Sequence, residues 1–157
     1  MDKLQKFRSD VGENWIPQIY SETIRPMRTR ALKLDIPERE NEPVIHETLL
    51  GIELKIGRRR IACPDVHTAR YLQVFSRLGC RDLAVPYDIT ALPTIADRLN
   101  AAWLAVNDAL LGYARGVSPQ VAGKIRSRAI RLMREEIKKA GAGDLMPLFD
   151  RSTKQRE

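Results

Sequence analysis

The chain has 157 residues, is 43% hydrophobic and 30% charged, and carries 27 Lys and Arg against 20 Asp and Glu for a net charge of +7. That balance belongs to a globular chain long enough for one core, and it excludes fibrous, disordered and disulfide-scaffold classes. No apolar run approaches the ~20 residues of a membrane span, and the opening MDKLQKFRSD has no apolar signal core, so a cytoplasmic protein with no membrane contact is expected.

In chain order, residues 1–43 read as a helical segment and a loop. Trp15, Ile16, Ile19, Ile24 and Met27 suggest an apolar helical face, but Pro17 and Pro26 forbid one unbroken helix. Pro17 suits the first turn of a helix running to about Arg25. Asp35 to Pro43, DIPERENEP, has no periodicity and reads as a surface loop.

Residues 44–90 read as a sheet and a crossover helix. Leu50 to Ile56 alternates, with Ile52, Leu54 and Ile56 on one face and Glu53 and Lys55 on the other. Arg60 to Pro64 is a second short strand, joined to the first through Gly57-Arg58-Arg59. Asp65 stands where a helix N-cap belongs, and the helix from Val66 to Leu78 buries Ala69, Leu72 and Phe75 before Gly79 stops it. Leu83 to Tyr87 is a further strand. A strand–helix–strand connection predicts that it pairs parallel to a strand of the hairpin.

Residues 91–141 form a helical pair. The first helix puts Leu92, Ile95, Ala96, Leu99, Trp103, Val106 and Leu110 on one stripe. The second opens with Ser118-Pro119 and runs to Ala140, with Val121, Ile125, Ala129 and Leu132 as its apolar face and Met133 at the edge. Residues 142–157 are a polar tail in which Leu145 to Phe149 reads as a strand or turn packing back on the body. The fold class expected is α+β: a small mixed sheet flanked by helices, then a C-terminal helical pair, all in one domain. Cys63 and Cys80 are too few, and too poorly spaced, for a disulfide framework or a zinc site, and read as reduced packing residues.

Two groups of side chains carry candidate chemistry. Glu53 and Lys55, two apart on a strand, share a face about 6–7 Å apart, and Asp65 ends the neighbouring strand. Two carboxylates and a lysine at adjoining strand ends suit a divalent cation and a water poised for phosphodiester hydrolysis. The plain alternative is an exposed Glu-x-Lys on an amphipathic strand beside an N-cap. The second group is basic. Arg58, Arg59 and Arg60 sit at a hairpin tip near the acids, and Lys124, Arg128, Arg131, Arg134 and Lys138 form a stripe on the last helix. Between Arg115 and Lys139 there are eight positive residues and two negative ones, so six of the net charges lie in that segment. Such a stripe can track phosphates, or be a solvated face. No GxSxG context and no phosphate-binding Gly loop occur.

The stretch Leu49 to Tyr87 resembles the core of the PD-(D/E)xK nuclease superfamily, its RecB-like branch in particular. Gly51-Ile52-Glu53-Leu54 looks like the strand of the first acid, Pro64-Asp65-Val66-His67-Thr68 like the second motif, and Tyr71-Leu72-Gln73 like the helix that follows. His67 stands where the family has Lys, and Tyr precedes Gln instead of following it. Lys55 could substitute from the neighbouring strand. In a second register Glu53-Leu54-Lys55 is itself the (D/E)xK, with Glu47 or Asp35 upstream. The resemblance implies a restriction-endonuclease-like core, a DNA substrate, Mg held by Glu53 and Asp65, and Glu53, Lys55, Asp65, His67 and Gln73 as the catalytic set. It covers about a quarter of the chain. Two functions are therefore expected: a DNA-binding, restriction-endonuclease-like protein that is a candidate Mg-dependent nuclease, and a non-catalytic homodimeric interaction module with a structural sheet. Trp103, Leu104 and Leu111 would furnish its dimer face.

Overall fold

The protein is described by a computed structural model over residues 2–143; the segment Leu145 to Phe149 lies outside those residues. Helix α1 (Lys3–Val11) opens at Asp2, whose carboxylate accepts from the Gln5 N–H at 2.9 Å. A 3-10 turn leads into α2 (Ile16–Ile19), with Pro17 in its first turn, and α2 continues as a π-helical turn over Tyr20–Ile24. Strand β1 (Thr29–Lys33) follows. It has no counterpart in the sequence reading, because Arg30 and Lys33 interrupt any clean alternation.

Next come β2 (Val44–Thr48), β3 (Gly51–Ile56), β4 (Arg59–Cys63), α3 (Val66–Arg77), β5 (Asp82–Pro86), α4 (Leu92–Ala114) and α5 (Pro119–Ala140). Both hairpin turns have two residues: Leu49-Leu50 between β2 and β3, and Gly57-Arg58 between β3 and β4. Gly57 supplies the positive φ, 60°, that the second turn needs.

The expected mixed sheet does not form. Strands β2, β3 and β4 make a three-stranded antiparallel sheet, and β5 pairs instead with β1, antiparallel, in a separate two-stranded ribbon. The reason lies on the outer edge of β5. Register pairs alternate across an antiparallel ladder, and at Ala31–Ala84 the β5 backbone points away from β1. There the Ala84 N–H donates to the Tyr20 hydroxyl at 2.9 Å, and the Tyr71 hydroxyl donates to the Ala84 carbonyl at 2.5 Å. Two phenols occupy the positions that a parallel neighbour strand would have used.

Helix α3 is the centre of the fold. It buries Ala69, Leu72 and Phe75 as its spacing predicts, and also Tyr71, Val74 and Ser76 on its other flanks. The three-stranded sheet covers one side of it and α4 another. One apolar cluster runs from Phe7 through α3 to Ile137. The loop between β1 and β2, expected as a bare surface loop, wraps the end of α3. The Asn41 amide donates to the Ser76 carbonyl and the Asn41 N–H to that of Arg77, taking up carbonyls a helix end leaves unpaired. The loop presses so close at Gly79 (φ +78°) that a Cβ there would lie 2.4 Å from the Arg39 carbonyl oxygen.

Helix α5 is rotated about a quarter turn from the expected face. Its buried residues are Ala129, Ile130, Met133 and Ile137, while Val121 is exposed and Ile125 and Leu132 are half-buried. That rotation carries Arg126 to the middle of the buried side. Its guanidinium bonds Glu40 through Nε and Nη2 and Asn107 through Nη1, and it stacks on Trp103. Trp103 is itself buried, with Arg77 over the same ring, and so is no part of an exposed dimer stripe.

The Ala84 arrangement yields a stability prediction. Tyr71→Phe leaves a buried carbonyl unsatisfied and should cost about 1–3 kcal/mol in urea denaturation. Burial holds the Tyr71 hydroxyl well above the ordinary tyrosine range. The folded state thus keeps a proton that the unfolded chain releases above about pH 10, and stability should fall as pH rises past that point. The fall should be shallower in Tyr71→Phe.

Candidate functional site

The outer face of the three-stranded sheet collects the side chains that alternation turns away from α3. Leu54 and Ile56 face inward and are buried. Glu53 and Lys55 face outward, Glu53 opposite His46 and Ala62, and Lys55 opposite Val44 and Arg60. Arg60 reaches diagonally to Glu53 at 3.4 Å, a distance for an ion pair with one exposed partner. At the next position Arg59 pairs with Asp35 at 2.6 Å, while Arg58 lies exposed in the turn. The three arginines are thus distributed among two acids and solvent.

Asp65 is committed elsewhere. Its Oδ1 accepts from the Thr68 N–H at 2.7 Å, which makes it the N-cap of α3. Since α3 packs on the inner face of the sheet, the Asp65 cap and the Glu53 carboxylate belong to opposite faces. His67 lies in the first turn of α3, with Nδ1 shielded and unbonded among the described residues. Gln73 donates to the Pro43 carbonyl at 3.0 Å, fastening α3 to the start of β2. Glu53, Lys55 and Arg60 are therefore brought together, and Asp65, His67 and Gln73 are not brought to them.

A divalent cation shared by two carboxylates needs oxygens of both within about 2.0–2.6 Å. In the structure the Asp65 carboxylate is engaged by the Thr68 N–H and the Glu53 carboxylate by Arg60. No group of three or more His, Cys, Asp or Glu suited to hold a metal occurs among the described residues. Cys63 and Cys80 are free and buried, and desolvation raises both thiols, Cys80 to about 12. In both, burial favours the neutral thiol over the thiolate.

The basic stripe on α5 has a different fate. Lys124, Arg128, Arg131 and Lys138 are exposed on one face, opposite the buried side of the helix. Arg134 leaves the stripe: it turns toward α3 and donates from Nη1 to the Leu78 carbonyl at 2.9 Å. The acids of the helix divide as well. Glu136 points inward, accepting from the Trp15 indole at 2.8 Å and from Arg8 at 2.6 Å, whereas Glu135 stays on the exposed side. Sequence reasoning missed Arg126 and Glu136 as anchors, because their roles depend on how far the helix rotates about its axis. It also missed the tip Leu49-Leu50, whose side chains are fully exposed; alternation had drawn Leu50 into the strand.

Comparison of the chain with protein-family models, with curated proteins and with solved structures gave no match. No helix is long and apolar enough to cross a membrane among the described residues.

The division of labour among the acids predicts an order of effects. Asp65→Ala should lower stability by about 1 kcal/mol through loss of the cap. Glu53→Gln should lower it by less, because an ion pair with an exposed partner contributes about 0–1 kcal/mol. Urea denaturation of the two variants at neutral pH checks the order.

Proposed function

We propose that the protein binds double-stranded nucleic acid, DNA in the first instance, through the exposed face of α5. One observation carries this reading. Lys124, Arg128, Arg131 and Lys138 lie along about 21 Å of helix, and none of them forms an ion pair among the described residues. The remaining charges of α5 are largely spent on the fold: Arg126 on Glu40, Arg134 on the Leu78 carbonyl, Glu136 on Trp15 and Arg8. What is left outside is a row of cations with Glu135 as the one acid among them. Such a row suits phosphates and carries no base-reading geometry, so affinity should vary little with sequence.

Fluorescence anisotropy of a labelled duplex, titrated across salt, tests this. Each neutralised phosphate contributes about −0.9 to the log–log slope, so Lys124→Ala with Arg131→Ala should reduce the slope by about 2 and weaken all sequences alike. Unchanged binding in the double variant would overturn the reading.

A second reading, the non-catalytic homodimer, is favoured by Leu104 and Leu111, which lie two turns apart on α4 and are 67% and 54% exposed. They would form a symmetric apolar strip. Light scattering should then give a dimer mass for the wild type and a monomer mass for Leu104→Glu with Leu111→Glu. A monomeric wild type removes this reading and leaves the α5 face untouched.

A further inference from the structure

Where the β1–β5 ribbon meets α5, a pocket of about 240 Å³ is lined by Lys33, Arg81, Arg134 and Lys138, with Glu38 and Asp82 as the acids and Cys80 and Ile137 as its buried floor. The four cations come from three places in the chain. Lys33 ends β1, Arg81 precedes β5, and Arg134 and Lys138 are one turn apart on α5. No two of these six charged side chains make an ion pair within 4.0 Å. Arg134 has a single hydrogen bond, to the Leu78 carbonyl, and its Nε is shielded from solvent without a partner. A guanidinium has five donors, so most of this one's capacity is unused.

Gathering four cations against two acids in a concave site is unfavourable unless an anion enters to offset the repulsion. We propose that this pocket is a binding site for a small oxyanion of the phosphate class, either the free ion or the phosphoryl group of a small ester. Arg134 and Arg81 supply planar donor groups suited to an oxyanion, and Lys33 and Lys138 close around it as point charges. Size limits the ligand: drug-sized molecules occupy about 300–1,000 Å³, and this pocket falls below that range. The site is separate from the duplex-binding face, which it touches only at Lys138. Buried Cys80 forms part of the floor.

The test uses the full chain, with ionic strength held constant by chloride. Inorganic phosphate should bind with a Kd of about 1 mM or tighter. Its addition should shift the amide resonances of Gly79 to Asp82 in a ¹⁵N–¹H spectrum. Lys33→Ala with Arg81→Ala, both exposed positions whose loss spares the core, should weaken binding by about tenfold or more. Lys124→Ala with Arg131→Ala should leave phosphate binding unchanged, which separates this site from the α5 face. Glycerol phosphate is the second probe. Tighter binding than inorganic phosphate identifies an ester site, and weaker or equal binding a site for the free ion. Absence of saturable phosphate shifts at Gly79 to Asp82, or equal affinity in the Lys33/Arg81 double variant, overturns the proposal.

Discussion

Ala84 must satisfy both its N–H and its C=O in a place that water does not reach, and much of the fold depends on how this is done. The donor goes to Tyr20 and the acceptor receives Tyr71. Tyr20 then donates onward to the Gly141 carbonyl at the end of α5, where Arg25 also bonds the Ala140 carbonyl. One strand residue thereby couples the N-terminal helical segment, the central helix and the last helix. A two-stranded ribbon is marginal on its own, and its free edge invites pairing with another chain. The two phenols block that edge and bind the ribbon to the core. Burying them is favourable only because each hydroxyl has a partner.

The last helix is held by polar anchors as much as by its narrow apolar seam. Along its length it is fixed at Arg126 by Glu40 and Asn107, at Arg134 by Leu78, at Glu136 by Trp15 and Arg8, and at its end by Tyr20 and Arg25. Each of these bonds is directional, so together they set the rotation of the helix about its axis more sharply than Ala129, Ile130, Met133 and Ile137 could alone. The basic outer face follows from that rotation. Turning the helix by a quarter turn toward the face Val121, Ile125 and Leu132 would move Arg126 toward solvent and break its bonds to Glu40.

The elements were legible where local chemistry decides them. Asp65 before Val66, Ser118 before Pro119 and Gly79 after Leu78 are cap residues acting through bonds within a few positions, and all three hold their expected places. The stripe on α4 was legible because it is wide and regular. What failed depends on distant partners. β1 is a strand because β5 needs a neighbour, and nothing in Thr29–Lys33 signals this. The parallel pairing of β5 failed because Tyr20 and Tyr71, read as helix residues, act on a strand edge. The face of α5 failed because an arginine at the centre of a buried side looks like solvent chemistry until Glu40 arrives from a loop.

The same distinction governs the acids. Glu53, Asp65 and Gln73 have the residue types and the order of a nuclease motif, yet each has a local duty of its own. Asp65 begins a helix, Gln73 ties that helix to β2, and Glu53 pairs with Arg60 across the hairpin. Strand, strand, helix and strand in succession need caps, ties and cross-strand pairs, and Asp, Gln and Glu are the residues that supply them. A short motif of these types therefore arises wherever that order of elements is built. What separates structural use from catalytic use is convergence of the carboxylates on one point. Here Glu53 faces outward from β3 and Asp65 caps α3, each with a partner of its own, while cations without an ion pair line the outer face of α5 and the pocket at the end of the β1–β5 ribbon.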